Sequence, residues 1–129
     1  MAKTVALVFG IIYTLAGIAG FLSPLGGTFG MAPVALLGLF SINLVHNVVH
    51  LAIGVPGLLM AGTEQSAARY LRVFGIILVT VAVVGFIRNL EAVIHGFLPI
   101  GGSDVWLHLG SGLVMLWGAS TAARPAQAS

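Results

Sequence analysis

The chain contains no cysteine. That removes disulfides, thiolate metal sites, cysteine nucleophiles and covalent haem attachment, and with them any inference about redox compartment. Charge is nearly as scarce. Five Lys and Arg and three Asp and Glu make up 6% of 129 residues, against roughly 25% in ordinary soluble domains. So few charges do not cover a water-facing surface, which argues against a soluble globular enzyme, a disordered chain and a nucleic-acid binder. The pI near 9.7 reflects a difference of two charges and not a basic patch. What the chain has in abundance is apolar side chains, 59% of the total, and the composition is that of an integral membrane protein embedded in a lipid bilayer.

A bilayer core about 30 Å thick takes roughly 20 helical residues. Four stretches fit: about 4–22, 42–61, 70–89 and 104–122. None carries a charge near its middle, and backbone groups in lipid pair within their own segment, so helices are expected. The first stretch also fits a signal peptide, with Lys3 ahead of it, but the repeat described below argues against that reading. Pro24, Pro33, Gly26, Gly27 and Gly30 break the segment between the first two spans. Its apolar run Val34–Phe40 suggests a re-entrant or interfacial piece. Four spans put both termini on one side, with Lys3, Arg69, Arg72 and Arg124. The other side has only Arg88, beside Glu91 and Asp104. The positive-inside rule then makes the termini cytoplasmic in a multi-pass cell-membrane protein.

The chain repeats itself. Val8-Phe9-Gly10-Ile11-Ile12 matches Val73-Phe74-Gly75-Ile76-Ile77, and the register holds to Gly20-Phe21 against Gly85-Phe86, with seven of fourteen positions identical. His50-Leu51-x-x-Gly54 matches His108-Leu109-x-x-Gly112, Ala61 falls on Ala119, and His46 falls on Asp104. The expected fold class is an all-α membrane protein, four transmembrane helices in a single domain built as a tandem repeat of two helical hairpins, about 1–62 and 63–129. Two such parallel repeats are related by an axis along the membrane normal, which sets equivalent residues at one depth. If the second and fourth helices line that axis, His50 faces His108 and His46 lies near Asp104. Steps of three and four along the second helix give His46, His50, Gly54, Gly57 and Ala61. The matching stripe on the fourth is Asp104, His108, Gly112, Met115 and Ala119. Gly54, Gly57 and Gly112 are expected to let these two helices pack closely, as small residues do in membranes.

Polar residues gather at one depth: Asn43, His46, Asn47 and His50 open the second helix, and Ser103, Asp104 and His108 open the fourth. Polar groups within spans are costly and face partners rather than lipid. His46, His50, Asp104 and His108 form a candidate metal site, three imidazoles and a carboxylate suited to tetrahedral Zn²⁺. Another transition metal that imidazole suits is an alternative. Asn43 and Asn47 are candidate supports for the ring orientations, and Glu91 and His95 stand near the mouth of the cluster. The competing reading is structural: Ser103 and Asp104 cap the fourth helix, and the histidines bond within the bundle. Haem or chlorophyll ligation ranks below a metal ion, because a glycine-lined contact leaves little room for a macrocycle. His46-Asn47-x-x-His50 lacks the Glu of a zinc protease, and four histidines are too few for a di-iron desaturase, so no catalytic residue is assigned and no enzyme is expected. Tyr70, Trp106 and Trp117 near span ends read as interfacial anchors.

The pattern Asn43-x-x-His46-Asn47-x-x-His50-Leu51-x-x-Gly54, with Asp104-x-x-x-His108-Leu109, resembles the bacterial membrane family known as domain of unknown function 4383, over nearly the whole chain. The resemblance implies a small four-span protein with an Asn- and His-rich start to its second helix and an Asp/His start to its fourth. It implies no activity. Two functions remain open: a metal-binding membrane protein acting at the extracytoplasmic face, or a non-catalytic accessory subunit of a homo-oligomer or larger membrane complex, its histidines structural or ligating a pigment.

Overall fold

A computed structural model describes residues 1–87, 94 and 96–122. Among these, four long α-helices form the body: α1 (Ala2–Ala19), α2 (Leu44–Met60), α3 (Glu64–Phe86) and α4 (Ser103–Ser120). Two of them, α1 and α3, are long and apolar enough to cross a membrane. The segment read as re-entrant or interfacial forms a small antiparallel hairpin, β1 (Val34–Leu36) and β2 (Phe40–Ile42), with Val34 opposite Ile42. Gly38 takes a positive φ of 69° in its turn, a conformation glycine adopts without a steric penalty.

Local chemistry sets where the helices begin. Asn43 sits in an extended conformation and its side chain accepts from the His46 N–H at 2.9 Å, starting α2. Thr63 does the same for α3, accepting from the Ser66 N–H at 3.1 Å. Such caps satisfy donors that a helix start leaves orphaned. The short link from Met60 to Thr63 turns the chain directly from α2 into α3. The Met1 ammonium bonds Glu64 at 2.8 Å, so α1 and α3 start at the same end of the bundle.

The closest helix contacts are α1 on α2 and α3 on α4. Glycine decides both. A Cβ on Gly10 would stand 2.6 Å from the Leu58 backbone nitrogen, and one on Gly112 would stand 2.9 Å from the Gly75 carbonyl oxygen. Small residues at these crossings let backbones touch and gain dispersion contacts along the whole length. Gly54, Gly57 and Gly112 therefore pack helices together, but not α2 on α4 as expected from the sequence. Gly54 faces Thr14, Gly57 faces Gly10 and Tyr70, and Gly112 faces Gly75 and Val79. The expected stripe had assigned to one contact the residues that close two others.

The interior is apolar at one end and polar at the other. Ala2, Ala6, Ala67, Tyr70, Leu71, Met115 and Ala119 fill the end where α1 and α3 begin. Asn43, His46, Asn47, Asp104 and His108 are buried at the opposite end. Tyr70, read from sequence as an interfacial anchor, is 1% exposed and packs on Gly57 and Phe74. Trp106 and Trp117 are exposed. The outer faces of the helices carry exposed large apolar side chains, among them Leu15, Leu59, Val73, Ile76 and Leu113.

Gly10→Ala is expected to destabilise the protein by about 1–3 kcal/mol, because the added methyl meets backbone. Gly110→Ala, where a Cβ meets nothing within 4 Å, is expected to be neutral or to stabilise by up to about 1 kcal/mol through helix propensity. Unfolding of the two variants in detergent checks the contrast.

Candidate metal centre

The polar end is built by three segments that meet over the starts of α2 and α4. After α1 the chain makes a tight turn and runs through the hairpin, and backbone bonds knit it: Thr28 N–H to Gly20 O at 2.8 Å, Leu37 N–H to Leu25 O at 2.8 Å, Leu44 N–H to Gly30 O at 2.8 Å. The approach to α4, 96–102, lies against it. Asn43 Nδ2 joins the two by donating to Met31 O at 3.1 Å and to Phe97 O at 2.9 Å. Asn47 Nδ2 donates to Gly20 O at 2.7 Å and to Thr28 O at 3.1 Å. These asparagines were expected to orient the imidazoles. They bond backbone carbonyls instead, because they lie on the face of α2 turned toward the loops. Their work is to satisfy carbonyls that the covering segment would otherwise bury unpaired.

The histidines occupy the neighbouring face. The rings of His46 and His50 stand 4.4 Å apart between centroids, and His108 is 6.2 Å from the first and 6.3 Å from the second. One ring nitrogen from each of the three lies within 4.8 Å of the other two. Two helices that do not pack closely on each other thus converge through their side chains. The i, i+4 spacing of His46 and His50 puts both on one face, and α4 brings His108 to meet them.

Asp104 stands beside one member of the group. Its Oδ2 is 3.5 Å from His46 Nε2, and both residues are buried. Ser103 and Asp104 do not cap α4. The N-cap is Gly102, the Ser103 hydroxyl donates to Leu39 O at 3.2 Å, and no side chain caps the helix. Asp104 therefore makes no cap hydrogen bond, while it remains an acid in the first turn, where the helix dipole favours it.

The proton arrangement at His46 follows from its other nitrogen. Nδ1 lies 3.1 Å from the Pro99 carbonyl oxygen, which can only accept, so Nδ1 carries the hydrogen. In the neutral ring, Nε2 is then an acceptor with its lone pair beside a carboxylate oxygen. Among the described residues, neither His46 Nε2, Asp104 Oδ2 nor His50 Nε2 has a hydrogen-bond partner, and all three atoms are buried. The 3.5 Å separation is within ion-pair range and long for an aligned hydrogen bond. A buried polar atom left unpaired costs about 1–3 kcal/mol, so three in one place amount to several. Thr14 Oγ1, Asn47 Oδ1 and Tyr70 OH are also buried without partners, but each faces a glycine at a close backbone contact. At the cluster, by contrast, His46 Nε2 faces Asp104 Oδ2. A structural polar network normally satisfies its members, and among the described residues this one does not.

Tyr13 belongs to the surroundings of the site and was not singled out by sequence. It is 6% exposed and packs edge-on against His50 at 5.3 Å between centroids. The absence of an equivalent hydroxyl at Leu78 was the available signal. Arg88, Glu91 and His95 lie outside the described residues.

A family model described as "Domain of unknown function (DUF4383)" matches residues 3–120. No curated protein and no solved structure matches the chain.

Asn47→Leu removes the donor to two loop carbonyls and is expected to cost about 1–3 kcal/mol of stability. Because Asn47 does not touch the imidazoles, metal bound per folded molecule should stay as in the parent. Thermal unfolding together with metal analysis checks both halves.

Proposed function

The chain belongs to the family described as domain of unknown function 4383, a description that carries no activity, and from the geometry of its buried cluster we propose that it is a small polytopic integral membrane protein that binds a transition-metal ion. The observation that carries this reading is the convergence of the His46, His50 and His108 rings, with His46 Nε2 and His50 Nε2 buried and unpaired among the described residues and Asp104 Oδ2 beside His46. A cation shared among these acceptors recovers the desolvation cost that the fold otherwise bears. Tetrahedral zinc, with Zn–N bonds of about 2.0–2.1 Å, holds its donors roughly 3.3 Å apart, so small imidazole rotations close a set now within 4.8 Å. Asp104 is the natural fourth donor and supplies negative charge. The bond from His46 Nδ1 to the Pro99 carbonyl fixes the tautomer and ring angle, as outer partners of ligating histidines do. Zinc is the first choice, and copper, nickel and iron also suit imidazole. Such a protein senses, buffers or delivers the metal and has no catalytic residues.

The same reading places the chain across the bilayer four times, as two hairpins derived by duplication. In support stand the scarcity of charge, the exposed apolar faces, the two long apolar helices and the close pairing of α1 with α2 and of α3 with α4. Lys3, Arg69 and Arg72 belong to the end where α1 and α3 begin, which the positive-inside rule makes cytoplasmic. The cluster then lies near the extracytoplasmic face. A haem or chlorophyll finds no support beside the rings: the cavities that reach them are about 40, 130 and 220 Å³, each below the roughly 300 Å³ of a small-ligand pocket.

Metal analysis of detergent-purified protein tests the site. One equivalent of Zn, Cu, Ni or Fe is expected, falling to background in His50→Ala and His108→Ala, with chelation lowering the thermal midpoint by several degrees. Metal-free protein whose midpoint responds neither to added metal nor to His50→Ala would leave the accessory-subunit reading. The topology has its own check, made simple by the lack of native thiols. Leu39→Cys in cells is expected to react with an impermeant maleimide, and Gln65→Cys only with a permeant one.

A further inference from the structure

The side of the bundle between α1 and α4 is less closely packed than the glycine-lined pairs. Two cavities lie there, and both reach the polar cluster. The larger, about 220 Å³, sits under the β-hairpin, with Ala16, Ala19, Phe40, Ile42 and Leu107 among its apolar walls and His46, His50 and Asp104 beside them. The smaller, about 130 Å³, continues along α1 and α4 past Tyr13, Leu107 and Ser111, and includes His50, Asp104 and His108. Ala16 lines both. Small side chains on α1 keep the gap open where a Leu or Phe would fill it.

We propose that this gap binds a lipid-soluble molecule with a single hydroxyl head, an alcohol or a phenol, whose apolar part lies against Ala16, Ala19, Phe40 and Leu107 and whose hydroxyl lies between Asp104 and His50. Three observations select this chemistry. The walls are apolar apart from the cluster, and the rim residues Ile12, Leu37 and Leu107 are exposed apolar side chains, so the ligand enters from an apolar phase. Asp104 is 6% exposed, lines both cavities, and its Oδ2 lacks a partner, as does His50 Nε2. A hydroxyl is the smallest head that can donate to the one and exchange a hydrogen bond with the other. A carboxylate or phosphate head would meet the Asp104 charge in a dry site, at a cost too high for the apolar contact to offset. The volumes are below the roughly 300 Å³ of a drug-sized pocket, so each holds one ring or a short chain segment and not a whole phospholipid. The hydroxyl uses two acceptors that the metal reading gives to an ion, so the two are alternative occupants, and the probes below are applied to chelator-treated protein.

Thermal unfolding of the full chain in detergent tests it, with 4-pentylphenol, pentylbenzene and pentylamine as probes. Pentylphenol is expected to raise the midpoint by roughly 3–6 °C at saturation, and pentylbenzene and pentylamine by clearly less. Ala16→Phe is expected to abolish the difference between pentylphenol and pentylbenzene while leaving bound metal unchanged. Leu107→Trp, which fills the same gap from α4, serves if Ala16→Phe does not fold. Equal shifts from pentylphenol and pentylbenzene, a larger shift from pentylamine, or a hydroxyl-dependent shift that survives both fillings overturns the proposal.

Discussion

Two acceptors held together away from water set the terms for the polar end of this protein. His46 Nε2 and Asp104 Oδ2 lie 3.5 Å apart, each buried, and the Nδ1 bond to Pro99 fixes the lone pair of Nε2 in that direction. Two lone pairs facing each other in a low-dielectric setting repel, and only a proton or a cation between them makes the arrangement favourable. The loop that covers the site, the asparagines that knit it, and the burial of Pro99 and Ile100 all serve to hold this geometry.

The bundle can carry such a group because its packing is settled elsewhere. Glycines close α1 on α2 and α3 on α4 over their lengths. The alanine-rich core at the other end then ties the two pairs together. With stability supplied there, α2 and α4 need not touch backbone to backbone, and their starts are left to meet through imidazoles. Dense packing at one end and looser packing with cavities at the other is the division expected where one part holds the fold and another receives a ligand.

Much of this was legible in the residues. The four helices follow from long apolar runs separated by Pro and Gly, a signal with a direct physical cause in hydrogen bonding and burial. The polar residues at the starts of the second and fourth helices were equally plain, because His, Asn and Asp stand out against an apolar background. Which face each residue serves was harder to read. Asn43 and His46 are three residues apart, yet one caps the helix and binds loop carbonyls while the other turns to the cluster. Gly54 lies on the same helical stripe as His50, but it packs on Thr14 of α1. A helix stripe is wide enough to touch two neighbours, and periodicity alone does not say which neighbour stands where. The hairpin was hidden for a similar reason. Val34–Phe40 is a short apolar run, and such runs fit strand, helix or interfacial segment until their partners are known.

The sequence by itself determined the number of helical segments and the inventory of groups able to bind a cation, since these depend on composition and on local hydrogen bonding. Only the tertiary structure decided that three imidazoles meet with a carboxylate beside one of them, that the glycines join each helix to its chain neighbour, and that a gap beside α1 reaches the cluster. Those outcomes depend on the relative placement of helices, and that placement is set by the summed fit of many side chains, which no single stretch of chain contains.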